Sequence, residues 1–140
     1  MDYTAMSAQP LRRQTLVLVT DQFQCERIIK AGRAIAGITH TQLRVFHICA
    51  EGTSDPAALQ YLYNSAKENG SVLEIAYNSD FMGAITETLE STNTVNVITG
   101  QPGDEDSVLY TLWNRFPGIK FFTADADGHL DMVSTVRVAE

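Results

Sequence analysis

Thr15-Leu16-Val17-Leu18-Val19-Thr20 is the stretch that decides the fold. Four successive apolar residues between two threonines, with no polar residue alternating among them, describe a strand covered on both faces. Such strands sit at the centre of parallel sheets, where helices pack above and below. Immediately downstream, Cys25, Ile28, Ile29, Gly32, Ile35 and Ala36 recur at helical spacing. Glu26, Arg27, Lys30 and Arg33 fall largely on the opposite side, so the segment predicts an amphipathic helix ending near Gly37.

The same alternation continues to the end of the α/β region. Leu43 to Cys49 is the second strand, and Ser54-Asp55-Pro56 opens a second helix with a capping side chain and a proline in the first turn. Its apolar stripe is Leu59, Leu62 and Ala66, and Asn69-Gly70 supplies a left-handed stop. Val72 to Tyr77 is the third strand. Ser79 or Asp80 caps a third helix whose inner side carries Met82, Ile85 and Leu89. Val95 to Thr99 is the fourth strand, followed by Gly100-Gln101-Pro102-Gly103. A fourth helix turns Val108, Leu109, Leu112, Trp113 and Phe116 inward, and Pro117-Gly118 breaks it before the strand Ile119 to Thr123.

Strict alternation with short loops implies right-handed crossovers and helices on both faces of one parallel sheet. The expected fold is therefore a three-layer α/β/α, Rossmann-like domain. Its five parallel strands, numbered along the chain, stand in the order 3-2-1-4-5. Residues 1–14 show no period and read as a flexible leader, residues 15–125 form the domain, and residues 126–140 form a tail. In that tail Asp127-Gly128 is a hairpin signal, and the partial alternation after it suggests an extra antiparallel edge strand.

A chain of 140 residues with 44% hydrophobic and 19% charged residues fits one folded domain rather than a disordered segment. Its longest apolar runs fall far short of the roughly 20 residues of a membrane span, and no signal-peptide pattern opens it, so a cytoplasmic location is expected. Cys25 and Cys49 form no Cys-x-x-Cys pair and read as reduced packing residues. The net charge of −7 disfavours binding to nucleic acid, although Arg12, Arg13, Arg27, Lys30 and Arg33 make a local basic region that reads as a solvated face.

In a doubly wound sheet ligands bind beyond the carboxyl ends of the strands where strand order reverses, here between the first and fourth strands. Thr20-Asp21-Gln22 and Gly100 to Asp106 converge there. With these residues the chain resembles the universal stress protein family over about residues 15–125. That family ends its first strand in Val-Asp-Gly-Ser and follows its fourth with Gly, two residues, Gly, nine residues, Gly, then Ser or Thr. The resemblance implies an adenine nucleotide α-hydrolase-like fold and assigns Asp21 to the nucleoside of a bound nucleotide. It assigns Gly100, Gly103 and Ser107 to the phosphate loop.

The match is incomplete at the point where phosphates would bind. Gln22 and Phe23 replace Gly-Ser, and Asp106 stands where the third glycine belongs. Only Asp104 and Glu105 separate Gly103 from Asp106, so the phosphate segment is missing. A phosphate cradle needs unobstructed backbone N–H groups and no added negative charge. Each carboxylate within about 6 Å of a triphosphate would repel it by around 1 kcal/mol or more at intermediate dielectric.

The expectation is a degenerate nucleotide site that does not take ATP, in a non-catalytic regulatory or stress-response domain with no cofactor. The alternative is a protein that still takes adenosine or AMP through Asp21 and the same crevice. The acidic triplet reads as a helix-start feature rather than a metal site. His40, His47 and His129 lack metal-ligand spacing, and His47 reads as a satisfied core or pocket-edge residue. A response-regulator reading fails because only Asp21 follows the first strand, where that family has an acidic pair. Tyr61, Tyr63, Tyr77 and Phe81 read as core or rim residues rather than a ligand pocket. The resemblance further implies a homodimer joined at the fifth-strand edge. The tail after Gly128 would lie on that edge in its own subunit or in the partner.

Overall fold

A computed structural model describes residues 12–20, 25–49, 55–101 and 108–133. Strand β1 (Gln14–Leu18) is followed by helix α1 (Glu26–Thr39), β2 (Gln42–Cys49) and α2 (Pro56–Glu68). Then come β3 (Leu73–Tyr77), α3 (Phe81–Ser91), β4 (Thr94–Gly100), α4 (Val108–Arg115), β5 (Lys120–Ala124) and β6 (Leu130–Met132). The six strands form one sheet in the order β3-β2-β1-β4-β5-β6. All neighbours are parallel except β5 and β6. The expected three-layer fold, its strand order and the antiparallel edge strand are all present.

The central position of β1 explains its composition. Val17 and Val19 enter a core with Ile28 and Ile29 of α1 and Leu62 and Ala66 of α2. Leu16 and Leu18 enter the opposite core with Ile85 and Leu89 of α3 and Leu112 and Trp113 of α4. Alternate side chains of one strand thus feed both layers, which is why neither set could be polar.

Local chemistry sets the helix ends. Asp55 accepts the backbone N–H of Ala57 at 3.1 Å, with Pro56 at the first helical position. Between the two expected caps of α3, Asp80 is the one used, accepting the N–H of Gly83 at 3.0 Å. Gly70, at a φ of 84°, ends α2 as its position after Asn69 predicts. Helix α1 runs past Gly37 to Thr39, and His40 takes the left-handed conformation (φ 57°) instead of a glycine. The N–H groups of His40 and Thr41 both return to Ala36 O and close the helix there. Gly37 is simply an exposed helical residue.

At the amino ends of the strands, Asn96 Nδ2 donates to Thr15 Oγ1 at 3.0 Å and to Thr39 Oγ1 at 3.1 Å. This buried polar link ties β4, β1 and the end of α1 together. At the outer edge, Gly128 (φ 85°) turns β5 into β6, and the Asp125 carboxylate accepts the N–H groups of Asp127 and His129, each at 2.9 Å. Among the described residues no helix is long and apolar enough to cross a membrane.

Candidate functional site

Parallel neighbours β1 and β4 leave their carboxyl ends side by side, with Val17 opposite Ile98. The chain leaves β1 toward α1 on one face of the sheet and leaves β4 toward α4 on the other. A crevice opens between these departures, as it must at a point where strand order reverses. Leu18, Thr20, Gly100 and Gln101 line it from the middle.

Two lobes extend from those residues. On the α3/α4 side, Ile48, Phe81 and Leu109 help enclose about 240 Å³. On the α1 side, Cys25, Arg27 and Ile28 help enclose about 260 Å³. Each is smaller than the roughly 300–1,000 Å³ clefts that take drug-sized ligands. The first lobe is mostly apolar, with Thr20, Thr99 and Gln101 as its polar residues. The second carries a cation: Arg27 Nε donates to Asp125 O at 2.7 Å, which anchors its guanidinium between the crevice and the β5–β6 turn.

Gly100 is therefore where its sequence context places it, at the end of β4, with the Cδ1 of Ile28 3.5 Å from where a Cβ would stand. Asp21, Gly103 and Ser107, and with them the acidic run Asp104 to Asp106, lie outside the described residues. The structure brings together Thr20, which precedes Asp21, and Gly100, which begins the glycine loop.

Several lining residues were not singled out from the sequence as site residues. Ile48, Arg27 and Leu109 could have been found by reading the first residues of every helix and the last of every strand, since all stand at the carboxyl end of the sheet, and Gln101 belongs to the stretch from Gly100 already placed there. Phe81 serves twice, packing beside Ile85 and Leu89 and walling the first lobe. Tyr61, Tyr63 and Tyr77 are exposed and line neither lobe.

The titratable groups near the crevice have structural partners. His47 is buried, and its Nδ1 donates to Val19 O at 2.9 Å, as expected of a satisfied core histidine. Cys25 is buried with its Sγ 3.3 Å from Thr20 Oγ1, and no disulfide joins it to Cys49. On the β5–β6 turn, ligand atoms of Asp125, Asp127 and His129 lie within 4.8 Å of one another. There the backbone N–H of His129, then that of Asp127 and the nearby imidazole, hold the Asp125 carboxyl below its ordinary range against some desolvation. One carboxylate oxygen is thus the acceptor that shapes the turn. No family model matches the chain, and no curated protein matches it.

Proposed function

We infer that this chain is a regulatory domain of the universal stress protein type, acting by binding rather than catalysis, with a crevice that does not take ATP. The observation that carries the reading is the crevice between the carboxyl ends of β1 and β4, where Thr20 and Gly100 meet. In this sheet order it is the natural ligand position. Either lobe alone, at about 240 or 260 Å³, favours a ligand smaller than a nucleoside triphosphate. The sequence adds Asp104, Glu105 and Asp106 directly after the glycine loop, an unfavourable setting for phosphates.

Arg27 favours a second reading, in which adenosine or AMP still enters. A monophosphate brings less charge than a triphosphate, and the guanidinium at the α1 lobe is a matched donor for it. Thermal shift of the full chain with ATP, AMP and adenosine separates the readings. A ligand at one hundred times its Kd stabilises by about 2.7 kcal/mol. No shift with any of the three fits the regulatory reading, and a shift with AMP or adenosine alone fits the second. A full shift with ATP sinks the claim that ATP is excluded. The domain is further proposed to work in the cytoplasm as a homodimer through the β5–β6 edge, without nucleic acid or membrane as partner.

A further inference from the structure

The outward face of α1 departs from an ordinary solvated helix. Lys30, Arg33, Ala34, Gly37 and Ile38 follow the spacing of a single helix face, and with Asn69 at the end of α2 they line an open groove of about 620 Å³. The buried stripe of the same helix is Ile28, Ile29, Gly32 and Ala36, so this is a second, separate face. Ile38 is 74% exposed, more than any other large hydrophobic among the described residues. A Cβ on Gly37 would meet nothing within 4 Å, so the floor of the groove is open to close approach.

The rim is basic. Lys30 Nζ stands 3.5 Å from Glu26, whereas Arg33 donates at 3.5 Å to the amide oxygen Oδ1 of Asn69. Arg13 adds a further cation at the carboxyl end of the helix, where it donates to Thr39 O at 3.1 Å. All this stands on a chain whose net charge is −7.

We propose that this groove docks an acidic amphipathic helix of a partner protein. An apolar side chain of that helix lies over Ala34 and Gly37 against Ile38, and its carboxylates meet Lys30 and Arg33. Charge complementarity selects this occupant. A second copy docked on the same face about a two-fold axis would set Lys30 and Arg33 against their own counterparts. An anionic membrane or a nucleic acid presents an extended negative surface, which the rest of an acidic chain repels. Packed helices lie about 8–10 Å apart, and the small residues Ala34 and Gly37 in the lining permit that approach along α1. The proposal does not rest on what the crevice binds, because the groove is on the outside of α1 and the crevice is at the strand ends.

The test is an NMR titration of the full-length, isotope-labelled protein. The probe is a synthetic amphipathic helix with a leucine stripe flanked by glutamates, and the control carries lysines in place of the glutamates. The expected result is amide shifts confined to Lys30 to Ile38 and Asn69 with the glutamate peptide alone. Arg33→Glu and, separately, Ile38→Gln should each weaken binding at least tenfold while the melting temperature stays that of the parent. Both sites are exposed, and two variants of different chemistry keep the test decisive if one folds poorly. Equal binding of the lysine peptide, or no shifts at millimolar peptide, overturns the proposal. So do the same shifts produced by anionic phospholipid vesicles instead, or by concentrating the protein alone.

Discussion

The imidazole of His47 and the backbone carbonyl of Val19 are joined by a buried hydrogen bond of 2.9 Å across β2 and the end of β1. Because a carbonyl oxygen only accepts, Nδ1 must carry the proton. The bond holds the chain just before Thr20, where it enters the crevice. His47→Phe keeps most of the volume and leaves Val19 O without this donor. A loss of about 1–3 kcal/mol is expected, the cost of an unmade buried hydrogen bond, measured by urea unfolding. An unchanged midpoint would show that the bond contributes nothing.

Two glycines of one helix should respond to alanine with opposite signs. A Cβ on Gly32 would overlap Cγ2 of Val17 in the central strand, so the helix or the strand must move. Overpacking of this kind costs about 1–3 kcal/mol and outweighs the roughly 1 kcal/mol gained in helix propensity. Gly37 has open space and an ordinary helical backbone, so Gly37→Ala should stabilise by about 0.4–1 kcal/mol. Differential scanning calorimetry of the two variants decides it. Similar shifts in both would mean that α1 does not sit on β1 as closely as described.

The contact of α1 with α2 should weaken at both ends of the pH scale. Tyr61 donates its hydroxyl to the Glu26 carboxylate. That bond, and behind it the charge of Lys30, holds Glu26 below its ordinary 4.5 despite partial desolvation. The same bond, with desolvation and the charges of Glu26 and Glu68, raises Tyr61 above its ordinary 10.0. A depressed carboxyl stabilises above its unfolded value and loses that contribution as pH falls through the folded value. A raised phenol stabilises below its unfolded value and loses it as pH rises through the folded one. The link is thus complete between about pH 5 and 10 and fades outside that window. NMR titration of the Glu26 carboxyl should show its midpoint rising toward 4.5 in Tyr61→Phe. An unmoved midpoint would mean that the bond does not form in solution.

Fold and site were legible in the sequence to different depths, for physical reasons. The order of the sheet follows from alternation and handedness, and the run Leu16 to Val19 could only be central because both its faces needed cover. Element ends were less legible. Glycine marks a helix stop by removing the steric penalty of a left-handed residue, so Gly37 drew the end of α1 two residues early, whereas His40 bears that penalty and closes the helix. The place of the site was readable from topology. Its walls were not, because Ile48, Phe81 and Leu109 look like any core residues until the strand ends are brought together. The groove on α1 was hidden for a related reason. Lys30 and Arg33 fit a solvated face, and only the open space over Gly37 and the exposure of Ile38 set that face apart.

The outer edge of the sheet tests the proposed dimer. β6 of the same chain pairs with β5, Phe122 opposite Met132 and Ala124 opposite Leu130, and Val133 N–H reaches Phe121 O at 2.8 Å. Of the two placements open to the tail, its described part lies on its own subunit. Among the described residues the edge offered to a second copy is therefore that of β6, where Asp131 is exposed and Met132 is 60% exposed. A strand of three residues is short, and a charge such as Asp131 is one way an edge resists pairing. A two-fold pairing there would bring two Asp131 side chains near each other, so the dimer should tighten as salt screens them. Light scattering on the full chain, on a chain ending at Asp127 and on Met132→Glu measures this. The full chain is expected to be dimeric, more tightly so at 0.5 M than at 0.05 M salt, and the truncated chain monomeric. Met132→Glu should raise the dimer dissociation constant at least tenfold. A full chain that stays monomeric at several hundred micromolar sinks the dimer. A truncated chain that still dimerises moves the interface away from β6.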